Sequence, residues 1–422
     1  MKQLLAYCLS IILCVSFTGC MENYLDLYPE DKITSASFPE NESDIKLLLN
    51  GVYAQLREKE VYNQGLFGFG ITDGATPNAF NWGTDEVFNK LGAGRLSSSD
   101  GGVVTYRWKR CYEIISRANY LLACMDLVDL SEEAKAKYSG ETHFLRGLAY
   151  SVLAETYGGV PIILTDISTE EARSLKRASL EETWQQALDD YEVAITNLGV
   201  DAPEPGRATK GAALGMKMRA YLYQGKYKEV LSCVEQIDAL KKYGLFHSYE
   251  GLFDPANENN KEVLFDIQYI EGENSQGSYI DQYCGTGTGS WTRGSRYVPT
   301  DDLVAAYETI DGSPVDPENP YENRDPRLGF TAVLPGSYFL GYRFPNYLYP
   351  GGAFNHAGNR LKHLSTRKYR IQDESKLPPS GQSYINDIIL RYADVLLSKA
   401  EAIIETNGSV AVSYTHLTLP TT

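Results

Sequence analysis

The chain has 422 residues, and its 39 lysines and arginines against 55 aspartates and glutamates give a formal net charge of −16. This acidic balance, without long basic runs, excludes nucleic acid as an expected partner. It also argues against adhesion of the protein body to an anionic membrane. The seven cysteines form no CxxC pair and no metal-type cluster in the sequence, so neither a zinc site nor a disulfide framework is predicted.

The first 20 residues have the pattern of an exported lipoprotein leader. Lys2 gives a positive start, an apolar run covers residues 4–17, and small residues precede Cys20. The run is too short to span a bilayer, so we expect residues 1–19 to be a signal peptide. Cys20 is then the predicted lipidation site and residues 20–44 a tether. Ordinary secretion with a chance cysteine is the alternative, because a phenylalanine stands where a leucine is usual.

Helical patterning covers much of the chain. Apolar residues recur at helical spacing in four stretches, at residues 45–56, 108–122, 145–153 and 184–198. Ser179 and Glu182 form a capping box at the start of the fourth helix. Residues 220–227 resemble the helix-turn-helix junction of a tetratricopeptide repeat. We therefore expect a mainly α fold, in which irregular tetratricopeptide-like repeats stack to bury faces that none could bury alone.

Minor β structure and long loops complete the predicted fold. Residues 263–269 alternate apolar with polar side chains and are the best strand candidate. Residues 272–358 are rich in glycine, proline, asparagine and aromatics, with little periodicity. Such long irregular segments are usually functional or disordered, and the aromatic content argues against disorder. A helical pattern returns at residues 385–405 and ends at an Asn-Gly pair, so the prediction is a helical scaffold with a loop-rich face.

Two loop clusters are candidates for ligand binding. Sugar rings present C–H faces that pack on aromatic rings, while amides and charged groups bind the hydroxyls. One cluster holds Phe80, Asn81 and Trp82, and the other extends over residues 279–297. Both tryptophans lie in glycine-flanked loops, where a core position is less expected. The predicted contact residues are Asn81, Trp82, Tyr283, Trp291 and Arg293.

The end of the chain departs from this pattern. Residues 412–422 resemble translated read-through of a sequencing-library adapter, and we expect them to be non-native. The predicted helix at residues 385–405 resembles the first member of a repeat pair, with no second helix after it. We therefore expect residues 45–411 to form the binding domain, with the natural C-terminal part missing.

An ordered set of motifs resembles the SusD/RagB family, the surface glycan-binding lipoproteins of Bacteroidetes-type bacteria. The two most specific matches are residues 323–328 (NRDPRL) and 390–397 (LRYADVLL). The others follow family order at residues 24–29, 108–119, 140–147, 157–161 and 206–213. Together these segments cover nearly the whole chain after Cys20.

The resemblance implies an α-helical scaffold built on tetratricopeptide-like repeats and no enzymatic activity. It also implies an outer-membrane, cell-surface protein that partners a TonB-dependent (SusC-like) transporter, over which it sits as a lid. Within the motifs, Arg324, Arg327 and Arg391 are interpreted as structural residues, and Arg391 is expected to pair with a carboxylate. A third aromatic stretch, residues 338–354, could bind ligand or equally face the transporter.

Signatures of catalysis are scarce in the sequence. GxSxG, HExxH and GxxxxGK motifs are all absent, and the Gly-Thr alternation at residues 285–289 is interpreted as a flexible turn. Residues 254–259 are rich in oxygen ligands and could hold calcium, but they fail the EF-hand pattern, and a solvated turn is favoured. No catalytic residue, metal or cofactor is predicted.

The leading hypothesis is therefore capture of an oligosaccharide at the cell surface and its delivery to the transporter without chemistry. Capture of peptides or glycopeptides is an alternative within the class of binding proteins. A surface glycoside hydrolase is the alternative from a different class, because 55 acidic residues leave room for a pair of facing carboxylates. A pure assembly role at the transporter is a further one.

Overall fold

The computed structural model describes residues 38–57, 73–81, 90–271, 277–278, 280, 297–344, 364–371, 373–378 and 382–406. Within these residues the chain is mainly helical, as the sequence predicts. The helices are α1 (Glu42–Ala54), α2 (Val103–Met125), α3 (Glu132–Tyr157), α4 (Thr169–Ser174), α5 (Leu180–Asn197), α6 (Lys210–Tyr223), α7 (Tyr227–Ala239), α8 (Asp301–Ala306), α9 (Arg327–Thr331) and α10 (Tyr392–Glu405). The strands are β1 (Ala79–Asn81), β2 (Val263–Ile267), β3 (Tyr297–Pro299), β4 (Ala332–Val333), β5 (Tyr338–Phe339), β6 (Tyr342–Arg343), β7 (Ser365–Thr366) and β8 (Asp387–Arg391).

The long helices pack as a stack around α3. Helix α2 packs on α3 from one side and α5 from the other, and α6, α7 and α10 continue the stack. Most side chains in the C-terminal half of α3 are buried, including Phe144, Leu148 and Tyr150. A helix that is buried nearly all round belongs at the centre of a core. The predicted stacked helical repeats are thus confirmed, and they converge on α3.

Capping and turn residues set the ends of several helices. Ser179 accepts a hydrogen bond from the Glu182 amide at 3.1 Å, and the Glu182 carboxylate accepts one from the Ser179 amide at 2.7 Å. The predicted capping box of α5 is therefore confirmed. Between α6 and α7 the chain turns at Gly225, whose φ of +67° is the left-handed conformation that glycine adopts without strain. This turn is the tetratricopeptide-like junction.

A buried ion pair joins the three central helices. Arg146 on α3 donates to the Asp190 carboxylate on α5 at 2.7 and 3.1 Å, and to the Asn119 side-chain oxygen on α2 at 2.8 Å. Asn119 in turn donates to the carbonyls of Ile163 and Thr165. Arg146 is 6% exposed and Asp190 1%. Desolvating two charges is tolerated only where the partners are this well matched, so the pair fixes how these helices align.

The segment after residue 385 differs from its prediction. Residues 387–391 form strand β8, antiparallel to β2, and the helix begins only at Tyr392. The run Ile388-Ile389-Leu390 is rich in β-branched side chains, which favour a strand, and β2 offers it a hydrogen-bonding edge. The prediction of one helix over residues 385–405 was wrong for this first part. The strand predicted at residues 263–269 is confirmed as β2 for its first five residues, and it ends at Ile267.

The β2–β8 ladder holds carboxyl groups in a poorly solvated place. Asp266, expected on the polar side of β2, is only 4% exposed and accepts hydrogen bonds from Gln268 and Asn386 at 2.7 and 3.2 Å. Burial raises the pKa of Asp266 to about 6. Burial, with the charge of Asp266 nearby, raises the pKa of Asp387 to about 7.

Three shorter ladders lie on the loop side: β1 with β3, β4 with β7, and β5 with β6. In the third aromatic stretch, Phe339 and Phe344 are buried in a small core with Val333, whereas Tyr338 is 66% exposed. That stretch therefore divides between core and surface; residues 345–354 lie outside the described residues. None of the described helices is both long and apolar enough to cross a bilayer.

Three of the four cysteines that follow Cys20 are described. Cys111, Cys124 and Cys233 are buried and free. Burial raises the pKa of the Cys111 thiol to about 12, which leaves it unreactive as a thiolate. Cys284 lies outside the described residues.

We predict that Arg146→Leu destabilises the protein by about 3–5 kcal/mol, because it leaves the Asp190 carboxylate buried without a partner. The double variant Arg146→Leu/Asp190→Leu should recover part of this loss, since both charges are then gone. Urea unfolding followed by circular dichroism measures both. A free energy of unfolding for Arg146→Leu within about 0.5 kcal/mol of wild type would contradict the role assigned to the pair.

The raised pKa of Asp387 predicts a pH-dependent stability. An aspartate with a pKa of about 7 in the folded protein and about 3.9 unfolded binds its proton more tightly when folded. Its favourable contribution is complete below about pH 4 and is lost as the pH rises through 7. The asparagine of Asp387→Asn has no charge to gain, so wild type should lose stability relative to this variant as the pH rises. The melting temperature of the variant minus that of wild type should therefore increase between pH 4 and pH 8. A difference that is constant over this range would count against the assignment.

Candidate functional site

The β1–β3 ladder connects the two aromatic loop clusters that the sequence singles out. The strands are antiparallel, with Ala79 opposite Pro299 and Asn81 opposite Tyr297. The loop with Trp82 therefore leaves the ladder at the same end at which the loop with Trp291 returns to it. Two segments about 200 residues apart in sequence are thus attached side by side, since paired strands lie about 5 Å apart.

The described residues include only part of the predicted site. Asn81 is the last residue of β1, and only its backbone is described. Trp82, Tyr283, Trp291 and Arg293 lie outside the described residues, as does the predicted lipidation site at Cys20. They therefore remain predictions. Phe80, from the first cluster, is described and is 39% exposed.

Polar contacts tie the ladder to the rest of the protein. The Thr300 amide donates to the Asn78 carbonyl at 3.1 Å, and the Thr300 hydroxyl donates to the Pro77 carbonyl. The same hydroxyl accepts from the Leu303 amide and so caps α8. On the other side, β3 lies against β7. The contacts of Thr300 thus hold the end of the ladder opposite to the two loops, and the contact with β7 supports β3.

A cleft of about 470 Å³ begins beside this ladder. Asp73, in the turn that leads into β1, and Lys368, shortly after β7, line one end. The cleft continues along β8 and the first turn of α10, and its remaining lining residues are Arg219, Tyr369, Asp387, Ile388, Ile389, Arg391, Asp394 and Leu397. Its volume falls in the range of small-molecule sites, 300–1,000 Å³.

Both arginines in the cleft are held by carboxylates. Arg219 donates to the Asp394 carboxylate at 2.7 Å and to the Ile389 carbonyl at 3.0 Å. Arg391 pairs with the buried Glu262 at 2.8 Å, which confirms the predicted carboxylate partner. The structural interpretation of Arg391 is thus supported, but the residue also lines the cleft. Fixed guanidinium groups of this kind can donate to ligand hydroxyls without losing side-chain entropy on binding.

The other two predicted structural arginines do not line the cleft. Arg324 is buried and donates to the carbonyls of Tyr307 and Pro320 at 3.1 and 2.6 Å. Arg327 contacts the Asp325 carboxylate through its Nε at 2.9 Å. Both sets of contacts organise the loop between α8 and α9, as the sequence predicts.

The oxygen-rich turn at residues 254–259 is occupied by hydrogen bonds of its own. The Asp254 carboxylate accepts from the Ala256 amide at 2.8 Å, and the Glu258 carboxylate accepts from the Asn386 amide at 2.7 Å. Burial raises the pKa of Glu258 to about 7. Among the described residues, no group of three or more His, Cys, Asp or Glu side chains is placed to hold a metal ion.

The cleft therefore combines fixed cations, carboxyl groups and a tyrosine ring, a set of donors and acceptors suited to a hydroxyl-rich ligand. The sequence predicted Arg391 but not the cleft. Arg219, Lys368 and Asp387 come from distant parts of the chain and carry no shared motif. The only local signal was the arginine and aspartate of the LRYADVLL segment, which was interpreted as structural.

Comparisons with known proteins agree with the fold. A family model described as "Starch-binding associating with outer membrane" matches residues 23–222, and one described as "SusD family" matches residues 261–418. The SusD-like protein P25 of Formosa agariphila is 26% identical over 321 residues, which are 71% of this chain and 58% of that protein. The chain thus spans less than two thirds of this relative. The SusD-like protein P2 of the same organism is 24% identical over 96% of this chain and 79% of its own length.

Solved structures give the same result. A SusD-like carbohydrate binding protein from Bacteroides fragilis superposes with a TM-score of 0.76 and 27% identity, over 87% of this chain and 75% of that one. A laminarin-binding SusD-like protein superposes with a TM-score of 0.68 over 91% of this chain and 86% of its own, at 20% identity, which shows a common fold. Both halves of the sequence and the helical scaffold thus lead to one conclusion. The chain belongs to the SusD/RagB family.

Proposed function

We propose that this protein captures oligosaccharides at the bacterial surface and delivers them, without chemical change, to a TonB-dependent outer-membrane transporter. Family membership supports binding, since one matching family model is described as starch-binding. A similar structure is named as carbohydrate binding and another as laminarin binding. We propose glycan binding for this chain on the basis of those relatives and of the aromatic residues in its own loops.

The observation that carries the proposal is the register of the β1–β3 ladder. Asn81 pairs with Tyr297, so the loops that contain Trp82 and Trp291 are anchored at one end of the ladder. Two aromatic rings on neighbouring loops can stack on one or two sugar rings of the same chain. The exposed ring of Phe80 lies on the same ladder. We infer that Asn81, Trp82, Tyr283, Trp291 and Arg293 contribute to one glycan site.

The cleft extends this site along the scaffold. It begins at Asp73, six residues before β1, and at Lys368, two residues after β7. An oligosaccharide stacked on the loops can therefore place further hydroxyls against the fixed guanidinium groups of Arg219 and Arg391. A hydroxyl-rich ligand of several rings fits this arrangement better than a single small molecule does.

We further propose that lipid on Cys20 anchors the protein to the outer membrane, facing the cell surface. The leader pattern before Cys20 supports this, and one family model is described as associating with the outer membrane. Acyl chains contribute about 0.8 kcal/mol per buried CH₂, so two or more chains hold a protein durably. A membrane-held binder next to a transporter raises the local concentration of ligand for uptake.

Replacing both loop tryptophans with alanine should abolish glycan retention. Each stacked ring at a binding hot spot contributes on the order of 2 kcal/mol, so the double variant Trp82→Ala/Trp291→Ala should bind on the order of a thousandfold more weakly. The matched control, Trp82→Phe/Trp291→Phe, keeps the rings and should retain most binding. Affinity electrophoresis against a broad panel of polysaccharides measures all three proteins.

Circular dichroism should show an unchanged helical signal for both variants. Equal retention by the alanine variant and wild type would remove the two tryptophans from the site. Release of reducing ends from any retained polysaccharide by the purified wild type would contradict a role without chemistry.

Replacing Cys20 with alanine should release the protein from the membrane. Without the thiol no lipid can be attached, and the described part of the chain has no helix able to hold it in a bilayer. Membrane fractionation and incorporation of radiolabelled palmitate measure the change, with Cys284→Ala as the control that leaves labelling intact. Persistent labelling of Cys20→Ala would show that the anchor lies elsewhere.

A further inference from the structure

Among the described residues that line the cleft, Lys368 is the cation without an ion pair to a carboxylate. Arg219 and Arg391 are each paired with a carboxylate. Among the described residues, in contrast, no carboxylate oxygen lies within 4.0 Å of the Lys368 ammonium. Its polar contact is with the hydroxyl of Tyr249. An ammonium group that is largely removed from water and has no carboxylate in direct contact is costly for the protein to keep.

Aromatic rings hold this lysine in place. Its ammonium lies 4.4 Å from the ring centre of Phe253, 5.6 Å from that of Tyr369 and 6.0 Å from that of Tyr249. Phe253 and Tyr369 are themselves packed together, with ring centres 4.7 Å apart. Cation–π contacts of this kind orient a positive charge without neutralising it. Lys368 is thus a fixed charge at the cleft wall.

The charges around Lys368 indicate which kind of ligand group this part of the cleft would bind. Burial lowers its pKa, and the positive charge of Arg391 lowers it further, so two cations act on the same part of the cleft. Arg391 is already occupied by Glu262. Asp73 and Tyr249 act in the opposite direction on the pKa of Lys368, but neither forms an ion pair with it, so an anionic ligand group would gain more from this position than a neutral hydroxyl.

None of the carboxyl groups that face the same space forms an ion pair with Lys368 among the described residues. Burial raises the pKa of Asp73, against the opposing charge of Lys368. Burial also raises the pKa of Asp387 to about 7, and Asp394 is engaged by Arg219. Asp387 is thus partly protonated near neutral pH, which lowers the electrostatic cost of placing an anionic ligand group in the cleft.

We propose that the glycan captured here is acidic, and that the cleft binds its anionic substituent, a uronate carboxylate or a sulfate ester, at Lys368. This inference rests on the proposed function, since it names the class of glycan that the site takes. The 470 Å³ of the cleft accommodates a charged sugar ring beyond those stacked on the loops. The stem of Lys368, held between rings, positions the charge for that group.

The test compares two pairs of polysaccharides that differ only in charge: polygalacturonate with its methyl ester, and sulfated laminarin with laminarin. Titration calorimetry should show that wild type binds the acidic member of at least one pair at least about tenfold more tightly. The pair that shows the preference distinguishes uronate from sulfate. Lys368→Gln should lose the preference, and Lys368→Arg should keep it. The exposed Lys176 provides the control, so Lys176→Gln should match wild type.

Lys368→Met provides a second variant that keeps the apolar stem between the rings, and it should lose the preference with a melting temperature at least as high as that of wild type. Preference for the acidic member should also increase as the pH falls from 8 to 6, because Asp387, whose pKa is about 7, loses its negative charge over this range. The titratable and charged groups that face Lys368 or its part of the cleft are Asp73, Tyr249, Tyr369, Asp387 and Arg391.

Two results would overturn this inference: equal binding of acidic and neutral members by wild type, or a preference that survives in both Lys368→Gln and Lys368→Met. Binding of neither acidic probe would overturn it as well. The proposed function is separate, because retention of any neutral polysaccharide from the broad panel would still support glycan capture. Retention of none would contradict that function itself.

Discussion

The buried contact between Arg146 and Asp190 is the constraint on which the rest of the structure depends. It joins α3 to α5 and, through Asn119, joins both to α2 and to the extended segment that follows α3. An apolar interface tolerates small slips of one helix along another, but a desolvated guanidinium and carboxylate do not. The pair therefore sets the alignment of the central helices, onto which the later ones are stacked.

The β2–β8 ladder carries this alignment to the candidate site. Strand β8 is paired with β2 in the core and leads directly into α10, which packs on α7. The same short segment supplies Asp387 and Arg391 to the wall of the cleft and Asp394 to its far side. The cleft is therefore part of a rigid sheet-to-helix junction, while the aromatic loops extend from the separate β1–β3 ladder. The cleft therefore places fixed charged groups near the ladder from which the two aromatic segments continue.

Local patterns predicted what depends on local interactions. The helical stripes, the capping box at Ser179 and the turn at Gly225 each depend on residues close in sequence, and the structure confirms them. Residues 387–391 were predicted as helix because a short run of apolar residues fits the period of a helix as well as that of a strand. Only the partner strand, which was unknown, decides between them. The partner, β2, lies more than 100 residues earlier.

The cleft could not be predicted for the same reason. Lys368 lies against Tyr249 and Phe253, which are more than 100 residues away in sequence and which only the folded chain brings to it. The aromatic loops were predicted from composition alone, and the ladder now adds that they share one anchor. What composition cannot supply is the pairing of Asn81 with Tyr297, which depends on contacts between distant segments.

Hydrogen–deuterium exchange with and without a retained glycan tests the central claim most directly. The claim is that the segments with Trp82 and Trp291 form one site because the β1–β3 ladder joins them. The account predicts that ligand protects peptides from residues 82–89 and 281–296 together, over the same range of ligand concentration. Protection of only one of the two segments, or of a surface remote from the ladder, would contradict it.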